Sequence, residues 1–139
     1  MRRFRRPLAD YFAYSRGVLA LAVAQVGIGL NRIPACAAML GVQAPSTGRA
    51  STSPTEPELC RATRVAKRLA SAMGPKNYCL RHSLVLGHLL RAHHPTLHFG
   101  VRRQRRATQG HAWIEVGGLQ LGLSSSDGDA GFIPLGRPS

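Results

Sequence analysis

Apolar positions recur along the chain with two different periods, and the change from one to the other divides it. Residues Gly17 to Asn31, GVLALAVAQVGIGLN, carry no charge and predict an apolar helix packed on the rest of the protein or on a partner. The segment is 15 residues long, shorter than the about 20 that a spanning helix needs. Small residues at Ala35 to Ala38 would suit a signal cleavage site, but Asp10 and the long leading region argue against export. From Ala44 to Pro57 the sequence APSTGRASTSPTEP has no apolar period and reads as a loop or linker. Thr55 and Glu58 then have the T-x-x-E spacing of a capping box, which predicts a helix start. Leu59, Ala62, Ala66, Leu69, Ala70 and Met73 follow at helical spacing, Arg61, Arg64, Lys67 and Arg68 cover the other face, and Gly74-Pro75 predicts the stop. Cys60, at the flank of that stripe, reads as a partly buried bystander.

The next helix carries NYCLRHSLVLGHLL, Asn77 to Leu90. Cys79, Ser83, Leu86 and Leu90 lie along one line of it, with Arg81, His88 and Arg91 on the opposite arc. Cys79 therefore faces inward from the first turn, where unpaired backbone N–H groups and the helix dipole favour an anion. Beyond it the period becomes two. Leu97, Phe99 and Val101 predict a strand leading into a basic loop, RRQRRATQG. In HAWIEV, His111, Trp113 and Glu115 share one face, while Ala112, Ile114 and Val116 share the other. Gly117-Gly118 predicts a two-residue hairpin turn into a strand carrying Leu119, Leu121 and Leu123. Helices followed by an antiparallel sheet give an α+β fold. The organisation expected is an N-terminal helical segment at 1–44, a linker at 45–57 and a core at 58–139, forming one domain overall.

Composition narrows the function classes. Nineteen Lys and Arg residues against six Asp and Glu give a formal net charge of +13, which favours acidic partners without naming one. The arginines fall into separate groups without a series of interleaved aromatic residues and with no zinc-finger or RNP-like motif, so nucleic acid is not the expected partner. Three cysteines, Cys36, Cys60 and Cys79, at unrelated spacings indicate neither a disulfide framework nor a paired metal site, and fit a reduced, cytoplasmic setting. The Cys79-x-x-His82 pair has no further ligands nearby in sequence, so no metal or cofactor is expected.

A thiol at a helix start, with a histidine on a strand packed against that helix, is what a cysteine hydrolase needs. Helix-start donors, the Cys79 N–H among them, would hold the developing oxyanion. On spacing alone a packed, inert cysteine explains Cys79 equally.

CLRHSLVLGHLLR, FGVRR, GHAWIEVGG and FIPL, in that order, resemble the transglutaminase-like leader peptidase of lasso-peptide biosynthesis, the B protein. The family pattern runs Cys-Leu-x-Arg-Ser-Leu, Gly-Val-Arg-Arg and His-Ala-Trp-Val-Glu, and the resemblance covers about the last 80 residues. It implies a transglutaminase/papain-like fold and a Cys-His-Asp triad that removes the leader from a ribosomally made precursor peptide. It also implies two partners: a separate leader-recognition protein, and an asparagine-synthetase-like macrocyclase that uses ATP to close the freed amine onto a side-chain carboxylate. Position by position, Cys79 matches the nucleophile and His111 the general base. The family aspartate follows the hairpin, near Gly122, Leu123 and Ser124 here; Asp127 is the nearest acid beyond, with Asp129 and Glu115 as rivals. His82 stands where the family commonly has arginine. Two competing readings are a non-catalytic partner-binding member of the fold and a small basic nucleic-acid-binding protein. Whether the N-terminal segment docks on membrane or on protein is left open by the sequence.

Overall fold

In the computed structural model, which describes residues 8–45, 50–104, 107–122 and 133–134, the T-x-x-E spacing forms a complete capping box. Glu58 Oε2 accepts the Thr55 N–H at 2.9 Å, and Thr55 Oγ1 accepts the Glu58 N–H at 3.4 Å. The helix so started, α3 (Glu56–Ala72), ends before Gly74, whose φ of +83° only glycine adopts without strain. It is preceded by α1 (Leu8–Gly29) and α2 (Ile33–Leu40), the latter closed by Gly41 in the left-handed region, and followed by α4 (Tyr78–Leu89). The strands are β1 (Thr96–Gln104), β2 (Ala107–Val116), β3 (Leu119–Leu121) and β4 (Ile133–Pro134). They form one antiparallel sheet in the order β3-β2-β1-β4. The α+β arrangement is the one the change of period predicts.

The Gly117-Gly118 turn is as expected, with φ of +56° and +81°, both positive as a type I′ hairpin requires. It pairs Val116 with Leu119 and Ile114 with Leu121; Leu123 lies outside the described residues. The basic stretch expected as a loop is mostly strand. Arg102, Arg103 and Gln104 pair with Gln109, Thr108 and Ala107. The register that sets Phe99 opposite Ala112 continues outward, because strand pairing satisfies backbone groups whatever the side chains carry. The segment after α2 also docks rather than linking freely. Gln43 bridges Thr96, the Thr52 N–H donates to His93 O, and the Gly117 N–H donates to Ser51 Oγ.

Helix α4 lies between α1 and α3 on one side and β2 on the other. Its residues 81–88 are therefore all buried, and Arg81 and His88, expected on an outer arc, are inside. A helix packed on both sides has no outer arc, so its polar residues must find partners. His88 Nδ1 meets Leu40 O at 2.9 Å, tying α4 to α2. Ala112, Ile114 and Val116 of β2 meet Leu84, Val85 and Leu86 of α4 in the core. Cys60, in contrast, is exposed. On α3, Arg61 and Arg64 do more than cover a face. Both reach the buried Asp10 of α1, at 3.0 and 3.3 Å, and fix which side of α1 turns inward.

Burial holds His82 and His88 below the ordinary imidazole value of 6.5, because desolvation disfavours the cation; nearby Lys67 and His111 add to this at His82, and at His88 the Leu40 carbonyl works against it while Arg91 and Arg16 add to it. The unfolded chain takes up protons at these residues as pH falls through 6.5, while the folded chain resists. Stability is thus fully present above that value and lost below it. The thermal midpoint is expected to be lower at about pH 5.5 than at about pH 7.5, and His88→Gln should narrow the gap. Equal midpoints would show that neither ring is held neutral by the fold.

Candidate active site

Cys79 is the second residue of α4 and is half-buried. The chain enters this helix through Asn77 at φ +60°, the left-handed region that asparagine tolerates better than most side chains. Among the described residues no side chain caps α4, in contrast to the full box on α3. The Tyr78 N–H donates to Pro75 O, and helical bonding starts with the Arg81 N–H to Asn77 O. The first turn, which carries Cys79, thus keeps its backbone donors clear of any side-chain cap.

Arg81 holds this entry in place. Its guanidinium donates to Ala70 O at 3.3 Å and Gly74 O at 3.4 Å, and also to Lys76 O, binding the end of α3 and the turn before Cys79 from inside the protein. Carbonyl dipoles replace the lost hydration of the two terminal nitrogens of this buried cation, while Nε has no hydrogen-bond partner among the described residues. Beside it, His82 is buried and stacked on Tyr78 with ring centroids 5.6 Å apart.

One turn along from Cys79, on the same helix face, Ser83 is fully buried and its Oγ donates to Ala112 O at 3.1 Å. That bond ties the Cys79 end of α4 to the residue next to His111. His111 lies on β2 opposite Gly100 of β1. Its Nε2 is 2.8 Å from Gly122 O. A carbonyl oxygen only accepts, so Nε2 carries the hydrogen, and Nδ1 is the lone-pair nitrogen of the neutral ring. Gly122 has φ +95°, and a Cβ there would lie 3.7 Å from Ser83 Oγ and 3.7 Å from Trp113 Cβ. The carbonyl that meets His111 thus belongs to an exposed residue that borders Ser83 of α4 and Trp113 of β2.

Trp113 is buried and stacks between His111, at 6.2 Å, and His98, at 5.7 Å; its Nε1 has no hydrogen-bond partner among the described residues. Glu115, which shares the His111 face, instead pairs with His98 Nε2 across the strands at 3.3 Å. Residues two apart on a strand point side by side, while the cross-strand diagonal is within reach. Asp127 and Asp129 lie outside the described residues. No group of three or more His, Cys, Asp or Glu with metal-binding geometry occurs among the described residues.

Two contributors have little sequence signal. The Gly122 carbonyl is a backbone atom, marked only by a glycine in a non-apolar slot of the returning strand's alternation. Arg81 sits in the variable position of the family pattern and would have been found only by recognising that α4 is enclosed on both sides. A groove of about 840 Å³, lined by Ala37, Val42, Leu97 and Phe99 among others, lies at the Leu90 end of α4, away from Cys79.

The family model of the transglutaminase-like superfamily matches residues 20–137. No curated protein and no solved structure matches the chain. That fold includes cysteine peptidases, and the match runs from within α1 to past β4, across the helix that bears Cys79 and the strand that bears His111. The chain belongs to the transglutaminase-like superfamily.

Proposed function

We propose that this protein is a cysteine peptidase that removes the leader from a ribosomally synthesised lasso precursor. The reading rests on one observation above the others. His111 is oriented through Nε2 by Gly122 O, at a place tied through Ser83 to the start of the helix carrying Cys79. The ordered resemblance of CLRHSLVLGHLLR, FGVRR and GHAWIEVGG to the lasso leader peptidase supports the substrate.

In this mechanism Nδ1 of His111 takes the Cys79 proton and the thiolate attacks the scissile carbonyl at the end of the leader. Helix-start N–H groups of α4 receive the oxyanion. The imidazolium returns its proton to the departing amine, which becomes the N-terminus of the core peptide. Water, deprotonated by His111, then hydrolyses the leader thioester and frees Cys79. Asp127 is the proposed carboxylate that stabilises the imidazolium; Glu115 is the weaker candidate because His98 already engages it. A separate leader-recognition protein presents the substrate, and an ATP-dependent, asparagine-synthetase-like macrocyclase consumes the freed amine.

Reconstitution with precursor and leader-recognition protein is expected to release intact leader and core, identified by mass. Of the single changes Asp127→Asn, Asp129→Asn and Glu115→Gln, the first should lower kcat by about 100-fold or more and the others little. Three small effects would leave orientation of His111 to the Gly122 carbonyl. No cleavage of any precursor by the wild type would remove the peptidase assignment.

A further inference from the structure

Helix α1 distributes its side chains in the reverse of the usual order for a surface helix. Its buried positions are Asp10, held by Arg61 and Arg64, and the small residues Gly17, Ala20, Ala24 and Gly27. The contact is close: a Cβ at Gly17 would come within 2.6 Å of Leu69, and one at Gly27 within 2.8 Å of the Cys36 sulfur. Of the large apolar residues, Leu21 and Val23 are half-buried against the core, and most of the others point the other way. Leu8, Phe12, Leu19, Val26 and Leu30 fall within a narrow arc at helical spacing, flanked by Tyr11, and all are exposed, Phe12 by 68% and Leu19 by 63%. Small residues inward and large ones outward is the arrangement of a helix whose outer face meets lipid. Ordinary solvated helices put polar groups there.

Charge selects the lipid. From Leu8 to Leu40 the charged residues are Asp10, which is buried against α3, and Arg16 and Arg32, which are exposed. Arg2, Arg3, Arg5 and Arg6 directly precede Leu8 in the chain. An apolar stripe on a helix whose own exposed charges are all basic complements an anionic headgroup layer. By length and composition α1 also qualifies as a spanning helix, with 22 residues and an 18-residue window of mean hydropathy 1.3. Its small-residue face and Asp10, however, are committed to α3 and α4, which a transmembrane orientation would strip away.

We infer that the outer face of α1 lies in the surface of an anionic bilayer, holding the whole domain to the membrane as an in-plane anchor. The full-length protein is expected to float with vesicles of phosphatidylcholine mixed with phosphatidylglycerol, and much less with phosphatidylcholine alone. The double change Leu19→Glu and Val26→Glu, at positions already in water, should preserve the circular dichroism spectrum and thermal midpoint. It should lower the vesicle partition coefficient by roughly 100-fold. Cleavage of precursor in solution should be the same for both proteins, so the vesicle result does not depend on the peptidase reading. A wild type that ignores anionic vesicles, or vesicle binding unchanged by the two glutamates, overturns the inference. So does a wild-type dimer in sedimentation equilibrium that the glutamates split, which would assign the face to a second copy.

Discussion

Replacing Cys79 by alanine is expected to lower the rate of leader cleavage by at least about a thousand-fold, with the fold unchanged. The side chain is half-buried at an uncapped helix start, and its backbone N–H is retained in the variant, so only the nucleophile is lost. His111→Ala should fall as far, because the thiol then has no base and the departing amine no acid. The double variant should be no worse than either single one, since residues acting as one unit lose their function together. Cys60→Ala is the internal control: Cys60 is exposed on α3 and should leave the rate unchanged. Rates follow from the quantity of core peptide released, read by mass spectrometry. Substantial activity in Cys79→Ala would place the chemistry elsewhere.

The largest expected effect on stability comes from Arg81→Ala. The guanidinium satisfies three carbonyls, those of Ala70, Gly74 and Lys76, inside the protein, where water does not readily replace it. Hydrogen bonds to a charged donor contribute about 1.5–3 kcal/mol each when lost singly, and the three share one donor group, so a loss of about 2–4 kcal/mol is expected. For a chain of this size that lowers the thermal midpoint by roughly 8–15 °C. Arg81→Lys should recover little of it, because an ammonium is a compact point charge and cannot reach carbonyls on two sides as a planar fork does. Since the same carbonyls shape the turn before Cys79, kcat should fall in Arg81→Lys at temperatures where the protein remains folded. A midpoint within a degree or two of wild type would show that the three contacts carry no net stability.

Much of this fold was legible because local rules and the global packing agree. The Thr55 to Glu58 box, the Gly117-Gly118 turn and the period-two run through HAWIEV each specify structure within a few residues, and each is present. What was not legible depends on partners distant in sequence. Arg61 and Arg64 look like solvated charges until Asp10, 51 and 54 residues away, is placed under them. Arg81 and His88 look outward-facing until α1 and α3 close over α4. RRQRRATQG looks like a loop because its charges say nothing about backbone pairing, which the neighbouring register decides. At the candidate site, Cys79 and His111 stand out as residue types, whereas the Gly122 carbonyl that accepts from His111 Nε2 is a main-chain atom and has no residue type to announce it.

The central claim is that Cys79 is the nucleophile, and it is tested most directly by where a substrate-shaped electrophile attaches. A leader-derived peptide ending in a chloromethyl ketone, incubated with the full-length protein and mapped by peptide mass spectrometry, is expected to modify Cys79. Cys60, although more exposed, should remain free, and His111→Ala should abolish the adduct. Modification of Cys60 at an equal or greater rate, or an adduct on Cys79 that forms as fast without His111, would contradict the account.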